Sequence, residues 1–367
     1  MIERIFIDNF RCLVNCEVRL APVSLLLGGN GSGKSSVCDA LAALQRFIGG
    51  EQTVVDAFPS AALTRWQSIP NQTFEIDLRH QRGLYQYRLA LEQRPERSQC
   101  RVREESLTLE GHPLIESHDG ELQLFNDFKG LGPKFSYDWT RTIFSFVNVR
   151  NDNQGLFAFR QWITSGILIR PCAPLLVSDS PEESERLTIY GQNFASWYRS
   201  ISRQDIARQS DLFRSLSEVI DGFSGLLLDG PADSTLTLRV KMRQPGASKP
   251  IVFKLAELSD GQKQLIMLYT ILLGIDNEAK TLFFDEPENF LALREIEPWL
   301  SSLADAVGRS VGQAILISHH PEMIDRLARD KGVWFSRENG GPTRVEYGKV
   351  TAETVLRPSE VVARGWQ

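Results

Sequence analysis

VSLLLGGNGSGKSSVCDALAALQRFIG, residues 23–49, is the stretch that decides how this chain is read. An apolar run, VSLLLG, leads straight into glycines, and KSSVCDALAALQRFIG continues with apolar residues at helical spacing. Strand, glycine loop and helix form the context in which GGNGSGKS (28–35) holds phosphates. Gly28, Gly33, Lys34 and Ser35 fill the positions of G-x-x-x-x-G-K-[ST]. In that pattern the glycines let backbone N–H groups close on phosphate oxygens, the lysine reaches the β- and γ-phosphates, and the serine hydroxyl ligates Mg²⁺. A glycine turn that merely caps a helix is the plainer alternative, and the apolar strand before it argues for the phosphate reading.

Working outward, IERIFIDNF and CEVRL alternate as strands on the N-terminal side. Residues 51 to 135 turn polar and β-rich, with TFEIDLRH and LYQYRLALEQ as hairpin partners. Residues 181 to 224 carry helical periodicity with an arginine-rich polar face. TLTLRVKM and PIVFKLAEL then read as strands, TLFFDEP (281–287) as a buried strand, 293–307 as an amphipathic helix and QAILISHH (313–320) as another buried strand. A hairpin around the ENGG turn closes the chain. The expected organisation is an α/β core in two pieces, 1–50 and 235–367, separated by an insertion over 51–234. No internal repeat, low-complexity tract or long heptad run interrupts it.

The totals narrow the class. With 367 residues and 42% hydrophobic content the chain can bury a sizeable core. A formal charge of -5 gives no global pull toward nucleic acid or anionic membrane, although a local basic face fits inside an acidic total. The five cysteines, at 12, 16, 38, 100 and 172, form no CxxC pair and read as reduced thiols. No apolar run reaches 18 residues, and MIERIFIDNFR is charged where a signal peptide needs an apolar core, so a cytoplasmic protein with no membrane span is expected.

Three further stretches carry chemistry. An apolar strand ending in Asp285 and Glu286 can place one carboxylate on a Mg²⁺ water shell and the other on an attacking water as general base. His319 and His320 end the next apolar strand, where one of them is placed to contact a γ-phosphate. LSDGQKQL (258–265) reads as a helix start suited to an anion: a hydroxyl at Ser259, Gly261, Gln262 and then helix formers. Its S-D-G-Q also fits a capping box, in which Ser259 caps and Gln262 reaches back. Both readings hold together, because capping orients the same hydroxyl.

NFRCL, GGNGSGKS, LSDGQ, LFFDEPE and ISHHPE, in this order, resemble the ABC-type ATPases, specifically the soluble RecF/SMC/OLD-like branch. The resemblance covers the first 50 residues and about 235 to 325 well, and the insertion only loosely. It implies an ABC-type P-loop core, a mixed sheet with flanking helices, that binds ATP and Mg²⁺ and hydrolyses ATP. Asn30, Gly31, Gly33, Lys34, Ser35, Ser36 and Arg11 would lie at the nucleotide, Ser35 and Asp285 at the metal. Glu286 would be the base and His319 the switch histidine, acting with Lys34. In this family two lobes face head to tail, so Ser259, Gly261 and Gln262 would close over the ATP of a neighbouring copy in a homodimer or higher homo-oligomer. Where many relatives follow the carboxylates with an aliphatic-His-Pro turn, this chain has ENFLALREIEP. The glutamine that senses Mg²⁺ in relatives has no evident counterpart.

For the biological role the resemblance leaves two readings. Without a span or coupling segment a transporter ATPase is disfavoured, and without a coiled coil so is a chromosome-bridging protein. The 47 residues after His320 are expected to be too few for a fused nuclease. One reading is a sensor or scaffold ATPase of an anti-phage defence system, controlling a separate effector such as a nuclease or toxin. The other is a RecF-like ATPase that clamps DNA in repair or recombination. Arg94, Arg97, Arg101 and Arg103, with Arg199, Arg203, Arg208 and Arg214, are the candidate nucleic-acid or partner surface, or else simply solvated faces.

Overall fold

The protein is described by a computed structural model over residues 1–203, 205–231, 234–247, 249–274, 276–349 and 356–364, with the backbone alone at 277–279. The elements begin with strands β1 (Ile2–Asp8), β2 (Cys16–Arg19) and β3 (Val23–Gly28), then helices α1 (Lys34–Ile48) and α2 (Val54–Ala57). Six strands follow: β4 (Asn71–His80), β5 (Gly83–Arg94), β6 (Gln99–Leu109), β7 (His112–His118), β8 (Glu121–Phe125) and β9 (Leu131–Ser136). Then come α3 (Gln154–Ser165), β10 (Ile167–Ile169), β11 (Asp179–Ser180), α4 (Phe194–Ile201), α5 (Ile206–Val219), β12 (Phe223–Asp229), β13 (Leu236–Met242) and β14 (Ile251–Lys254). The chain closes with α6 (Asp260–Leu273), β15 (Asn277–Asp285), α7 (Leu293–Ala306), β16 (Val311–Ile317), α8 (Pro321–Lys331), β17 (Gly332–Ser336), β18 (Arg344–Tyr347) and α9 (Pro358–Ala363).

Two compact units result. Unit 1 is Met1–Gly166, Ala279–Thr281 and Asp325–Gln367, and unit 2 is Ile167–Glu278 and Leu282–Ile324. In unit 1, eight strands form one antiparallel sheet in the order β2-β1-β4-β5-β6-β7-β8-β9. The N-terminal strands therefore pair directly with the β-rich stretch that follows α1, through Ile5↔Ile76 and Ile7↔Phe74. Alternation explains the two faces. Phe74, Ile76, Leu78, Tyr85, Tyr87 and Leu89 are buried, and Tyr87 meets Phe159 of α3 with ring centroids 5.3 Å apart. On the other face charges alternate across strands, with Arg4 donating to Glu17 and Glu75 at 2.8 Å and Arg88 reaching Glu75 and Glu104. Also in unit 1, β17 runs parallel to β3 and antiparallel to β18, which is the expected closing hairpin.

Unit 2 holds the second group of buried strands. β10 pairs in parallel with β15, and β16 lies beside β15. Leu282, Phe283 and Phe284 are fully buried, as are Ala314 to Ile317. Phe284 stands edge-on to Trp299 of α7 at 5.2 Å. Helix α6 is buried almost all round, from Leu265 to Leu272, which marks it as a core helix. β12 and β13 form an antiparallel pair extended by β11 and β14.

The helical reading of 181–224 holds only from Phe194 onward. Upstream, side chains satisfy the backbone instead of a helix ladder: Asn193 donates to Ser184 Oγ and Arg186 O and accepts from Thr188 N. Ser, Thr and Asn compete for backbone groups in this way, and here that competition overrides the periodicity.

Glu105 of β6 is fully buried and takes hydrogen bonds from the Tyr87 hydroxyl at 2.9 Å, the Thr142 hydroxyl at 2.8 Å and the Ile143 N–H at 2.9 Å. Burial pushes its carboxyl up to about 7, with those three donors pulling the other way. The folded state therefore holds a proton there that the unfolded chain has lost. The contribution of this group favours folding at low pH and declines as pH rises from about 4.5 to about 7. Glu105→Gln should remove that slope in denaturant titrations at pH 5 and pH 7.5. Glu105→Ala, which orphans three buried donors, should cost about 3 kcal/mol or more.

Candidate functional site

The phosphate loop belongs to unit 1 and is held from below by residues far away in sequence. β3 ends at Gly28, whose φ of 146° and crowding leave no room for a side chain: a Cβ would sit 2.1 Å from the Phe335 carbonyl oxygen. Gly33 is the N-cap residue of α1. Lys34 is 5% exposed, and its Nζ donates to the carbonyls of Gly28 at 2.6 Å and Gly29 at 3.0 Å. The ammonium is thus folded over the loop's own carbonyls. Ser32 Oγ is buried without a hydrogen-bond partner, a polar group suited to an anionic ligand's oxygens. Asn30 and Gly31 lie in the loop's turn, and Ser36, in the first turn of α1, has Oγ 3.6 Å from Cys12 Sγ.

The closing hairpin pins this loop. Arg337 donates to Gly31 O at 2.9 Å, Gly340 O at 2.6 Å and Gly341 O at 2.7 Å. The buried Thr343 donates from Oγ1 to Ser32 O at 2.8 Å and from N to Cys12 O at 2.9 Å. Neither residue stood out in the sequence, because nothing local marks a hairpin turn as a partner of a loop three hundred residues earlier. Arg11 pairs with Asp39 of α1 and stacks over Phe10 at 5.5 Å, which fixes it beside that helix. None of the five cysteines is in a disulfide.

Unit 2 carries the carboxylates, the signature and the histidines. Asp285 is 2% exposed and its Oδ2 accepts from Arg170 Nε at 2.7 Å. Arg170, just past β10, was not anticipated, and it balances a charge that burial would otherwise penalise by several kcal/mol. Glu286 adopts a left-handed φ of 55°, uncommon for a non-glycine residue, with its N–H on Ile317 O at 2.9 Å. Asn289 Nδ2 donates to Glu286 Oε2 at 3.1 Å. Glu286 is half-buried, whereas Asp285 before it is buried. Mg²⁺ commonly takes one or two protein oxygens and completes its shell with water and phosphate. A hydroxyl such as Ser35 and a carboxylate such as Asp285 fit that donor set. Among the described residues no group of three or more His, Cys, Asp and Glu could hold a metal by itself.

The ENFLALREIEP departure has a structural counterpart. Glu288 Oε1 accepts from the Ser318 hydroxyl at 2.7 Å and from the His319 N–H at 3.0 Å. It therefore ties the histidine segment to the carboxylate turn. Burial raises its carboxyl above the ordinary range, while the Ser318 and backbone donors hold it down. The His319 side chain is exposed; that of His320 is half-buried, burial lowers its basicity, and its carbonyl accepts the Ile324 N–H of α8. Of the two, His319 has the more exposed side chain.

LSDGQ forms the capping box read from it. Ser259 is an exposed N-cap whose Oγ accepts from Gln262 N at 3.3 Å, while Gln262 Oε1 accepts from Ser259 N at 3.2 Å. Gly261 is required by proximity, since a Cβ there would lie 2.9 Å from Phe290 O. Gln264, fully buried, donates to Pro287 O at 2.9 Å and so joins the signature helix to the carboxylate turn.

Comparison with known proteins agrees with this arrangement. The sequence model of a family described as "AAA ATPase domain" matches residues 1–82, and that of "AAA domain, putative AbiEii toxin, Type IV TA system" matches residues 171–325. A solved SMC head bound to the C-winged helix domain of ScpA is 16% identical, covers 94% of this chain and 97% of its own, and superposes with a TM-score of 0.59. Two AAA ATPase family models thus match parts of the chain, and its fold is that of SMC-type ATPase heads. SMC heads from Pyrococcus furiosus, with its bound ScpA domain, and Pyrococcus yayanosii superpose with TM-scores of 0.55 and 0.54, at 14% and 11% identity. They cover 94% and 100% of this chain and 95% and 99% of their own. At such identities they establish the fold of the ATPase and nothing finer. The ABC transporter ATP-binding protein ARB1 of Saccharomyces cerevisiae is 32% identical over 77 residues, 21% of this chain and 12% of that protein's length. No helix among the described residues of the ATPase is long and apolar enough to cross a membrane.

All but Arg97 of the arginines offered as a nucleic-acid surface have acidic or carbonyl partners. In unit 1, Arg94 and Arg101 bond Glu92 at 3.0 and 2.7 Å, and Arg103 lies 3.9 Å from Asp119. In unit 2, Arg203 meets Glu183, Arg208 meets Asp205, Arg214 meets Asp211, and Arg199 donates to Ser180 O. Local neutralisation of this kind is what solvated faces show. Glu288→Ala should free the histidine segment and slow ATP turnover roughly ten- to hundredfold with nucleotide affinity retained. Glu288→Gln keeps an acceptor oxygen and should recover most of the rate in a steady-state ATPase assay.

Proposed function

We propose that this ATPase binds ATP with Mg²⁺ between two of its own copies, hydrolyses it there, and uses that cycle to control a separate effector in anti-phage defence. The observation that carries the catalytic part is the turn after β15, where Asp285 is buried against Arg170 while the half-buried, strained Glu286 is held by Asn289. A buried acid next to an oriented one is the division of labour that hydrolysis needs: one steadies the metal side, the other orients and deprotonates water. Lys34 neutralises phosphate charge, and when Mg²⁺ is bound it supplies further charge neutralisation. The self-capped and exposed Ser259 keeps its hydroxyl and the adjacent N–H groups directed outward from α6, where a second copy's ATP would receive them.

The defence setting is supported by the toxin–antitoxin description of the family whose model matches 171–325. The DNA-clamping alternative also comes from the resemblance, and the ion pairs of the candidate arginines leave it without a basic surface to support it. A DNA-stimulated ATPase rate would favour that alternative; stimulation by a neighbouring gene's nuclease or toxin would favour the effector reading.

Glu286→Gln should retain ATP and hydrolyse it about 10²- to 10⁴-fold more slowly. Ser259→Arg and Lys34→Ala should each be inactive alone, the first with ATP binding intact and the second without it. Their mixture should regain partial activity, because one interface of a heterodimer then combines an intact loop with an intact signature. Heterodimers that form yet stay inactive would refute the shared site.

A further inference from the structure

We infer that the far end of the unit 1 sheet, β6 to β9 with the β8–β9 turn, is the surface on which this protein holds its effector, through a partner segment that is cationic and carries apolar side chains. The inference rests on the effector reading above and adds where, and by what chemistry, the partner docks. These strands lie outside both stretches matched by family models, 1–82 and 171–325. The phosphate loop and the carboxylate turn use none of their side chains.

The turn supplies the apolar part. Phe128 and Leu131 are 80% and 79% exposed, which leaves two large apolar side chains almost wholly in water. The turn that displays them is nonetheless fixed. Asn126 Oδ1 accepts from Phe128 N at 3.1 Å and from Gly130 N at 2.7 Å, and Asn126 N donates to Gly130 O at 2.9 Å. Asp127 ties the turn to the start of α3: its N–H donates to Asp152 O at 2.7 Å, and both carboxylate oxygens accept from Gly155 N at 3.1 Å. A preorganised apolar pair loses little entropy when a partner covers it, and such side chains form the centre of protein interfaces.

The strands supply the charge. A cavity of about 680 Å³ on them is lined by Glu104, Glu116, Asp119 and Glu121 against a single lysine, Lys134. Lys134 bonds Glu121 at 2.8 Å, Arg88 reaches Glu104 at 3.4 Å and Arg103 lies 3.9 Å from Asp119, whereas no cation among the described residues pairs with Glu116. Thr108 Oγ1, also in the lining, is buried without a hydrogen-bond partner. Turn and cavity are continuous: Gln123 of the lining donates to Gly132 O at 2.9 Å, next to Leu131, and Lys134 belongs to the strand that Leu131 begins. Acidic charge repels nucleic acid and anionic membrane alike. Two copies meeting through this same face would set carboxylates against carboxylates. The complement is a lysine- or arginine-bearing segment of a different protein, with apolar side chains over Phe128 and Leu131.

The probe is the purified product of the neighbouring gene, titrated into the full chain by calorimetry at 50 and at 300 mM NaCl. The double variant Phe128→Asp/Leu131→Asp should weaken its binding about tenfold or more. Glu116→Lys/Glu121→Lys should weaken it as much at the lower salt and lose most of the salt dependence. Both should keep the wild-type melting midpoint and unstimulated ATP turnover. Binding left unchanged by either double variant would overturn the inference. So would sedimentation of the protein alone showing that Phe128→Asp/Leu131→Asp dissociates a homo-oligomer, which gives the face to a second copy. A neighbouring product that does not bind the wild-type protein sinks the effector reading itself, an outcome distinct from binding that the variants fail to alter.

Discussion

Everything at the phosphate loop depends on the crowding around Gly28. Three groups converge on its backbone: the Phe335 carbonyl presses where a Cβ would stand, Ser32 Oγ closes in at 2.9 Å from that same position, and Lys34 Nζ takes the Gly28 oxygen. The first sets the parallel register of β3 and β17, Phe335 opposite Gly28. The second and third fold the loop back on itself. With any side chain at this point the strand pairing, the turn and the lysine could not coexist, so one residue without a Cβ couples sheet geometry to ligand geometry.

Unit 2 answers the same problem with charge instead of space. Its strands are too apolar to leave a carboxylate unpaired, and Asp285 is carried inside by Arg170. The next residue, Glu286, is half-buried and enters left-handed backbone, a strained state of about 1–3 kcal/mol that the surrounding bonds must outweigh. Ile317 O, Asn289 and the Gln264–Pro287 bond supply that support, and Glu288 extends it to the histidine segment. The carboxylate turn, the LSDGQ helix and the histidine strand end therefore form one hydrogen-bonded piece.

The same economy of contacts separates this chain's functional polar groups from its merely solvated ones. The arginines of β5, β6 and α5 meet nearby carboxylates in pairs worth little individually, whereas Arg170 and Arg337 reach across the sequence to a buried acid and to loop carbonyls. Charge count in the sequence cannot make that distinction, because both kinds of arginine are the same residue in similarly polar text.

The sequence by itself determined the local chemistry: the strand, loop and helix around 28–35, the Ser259–Gln262 cap, the carboxylates after an apolar strand, and the hairpin register of TFEIDLRH with LYQYRLALEQ. Each of these is fixed by periodicity or by residues within one or two turns of one another. It misread 181–193, where short polar side chains outcompete a helix for backbone groups. Only the tertiary structure decided that β1 belongs to the sheet built from 71–136, and that Arg170, Glu288, Arg337 and Thr343 hold the phosphate loop and the carboxylate turn in place. Those are contacts between residues tens to hundreds of positions apart. Their partners are chosen by the path of the chain, which no local pattern encodes.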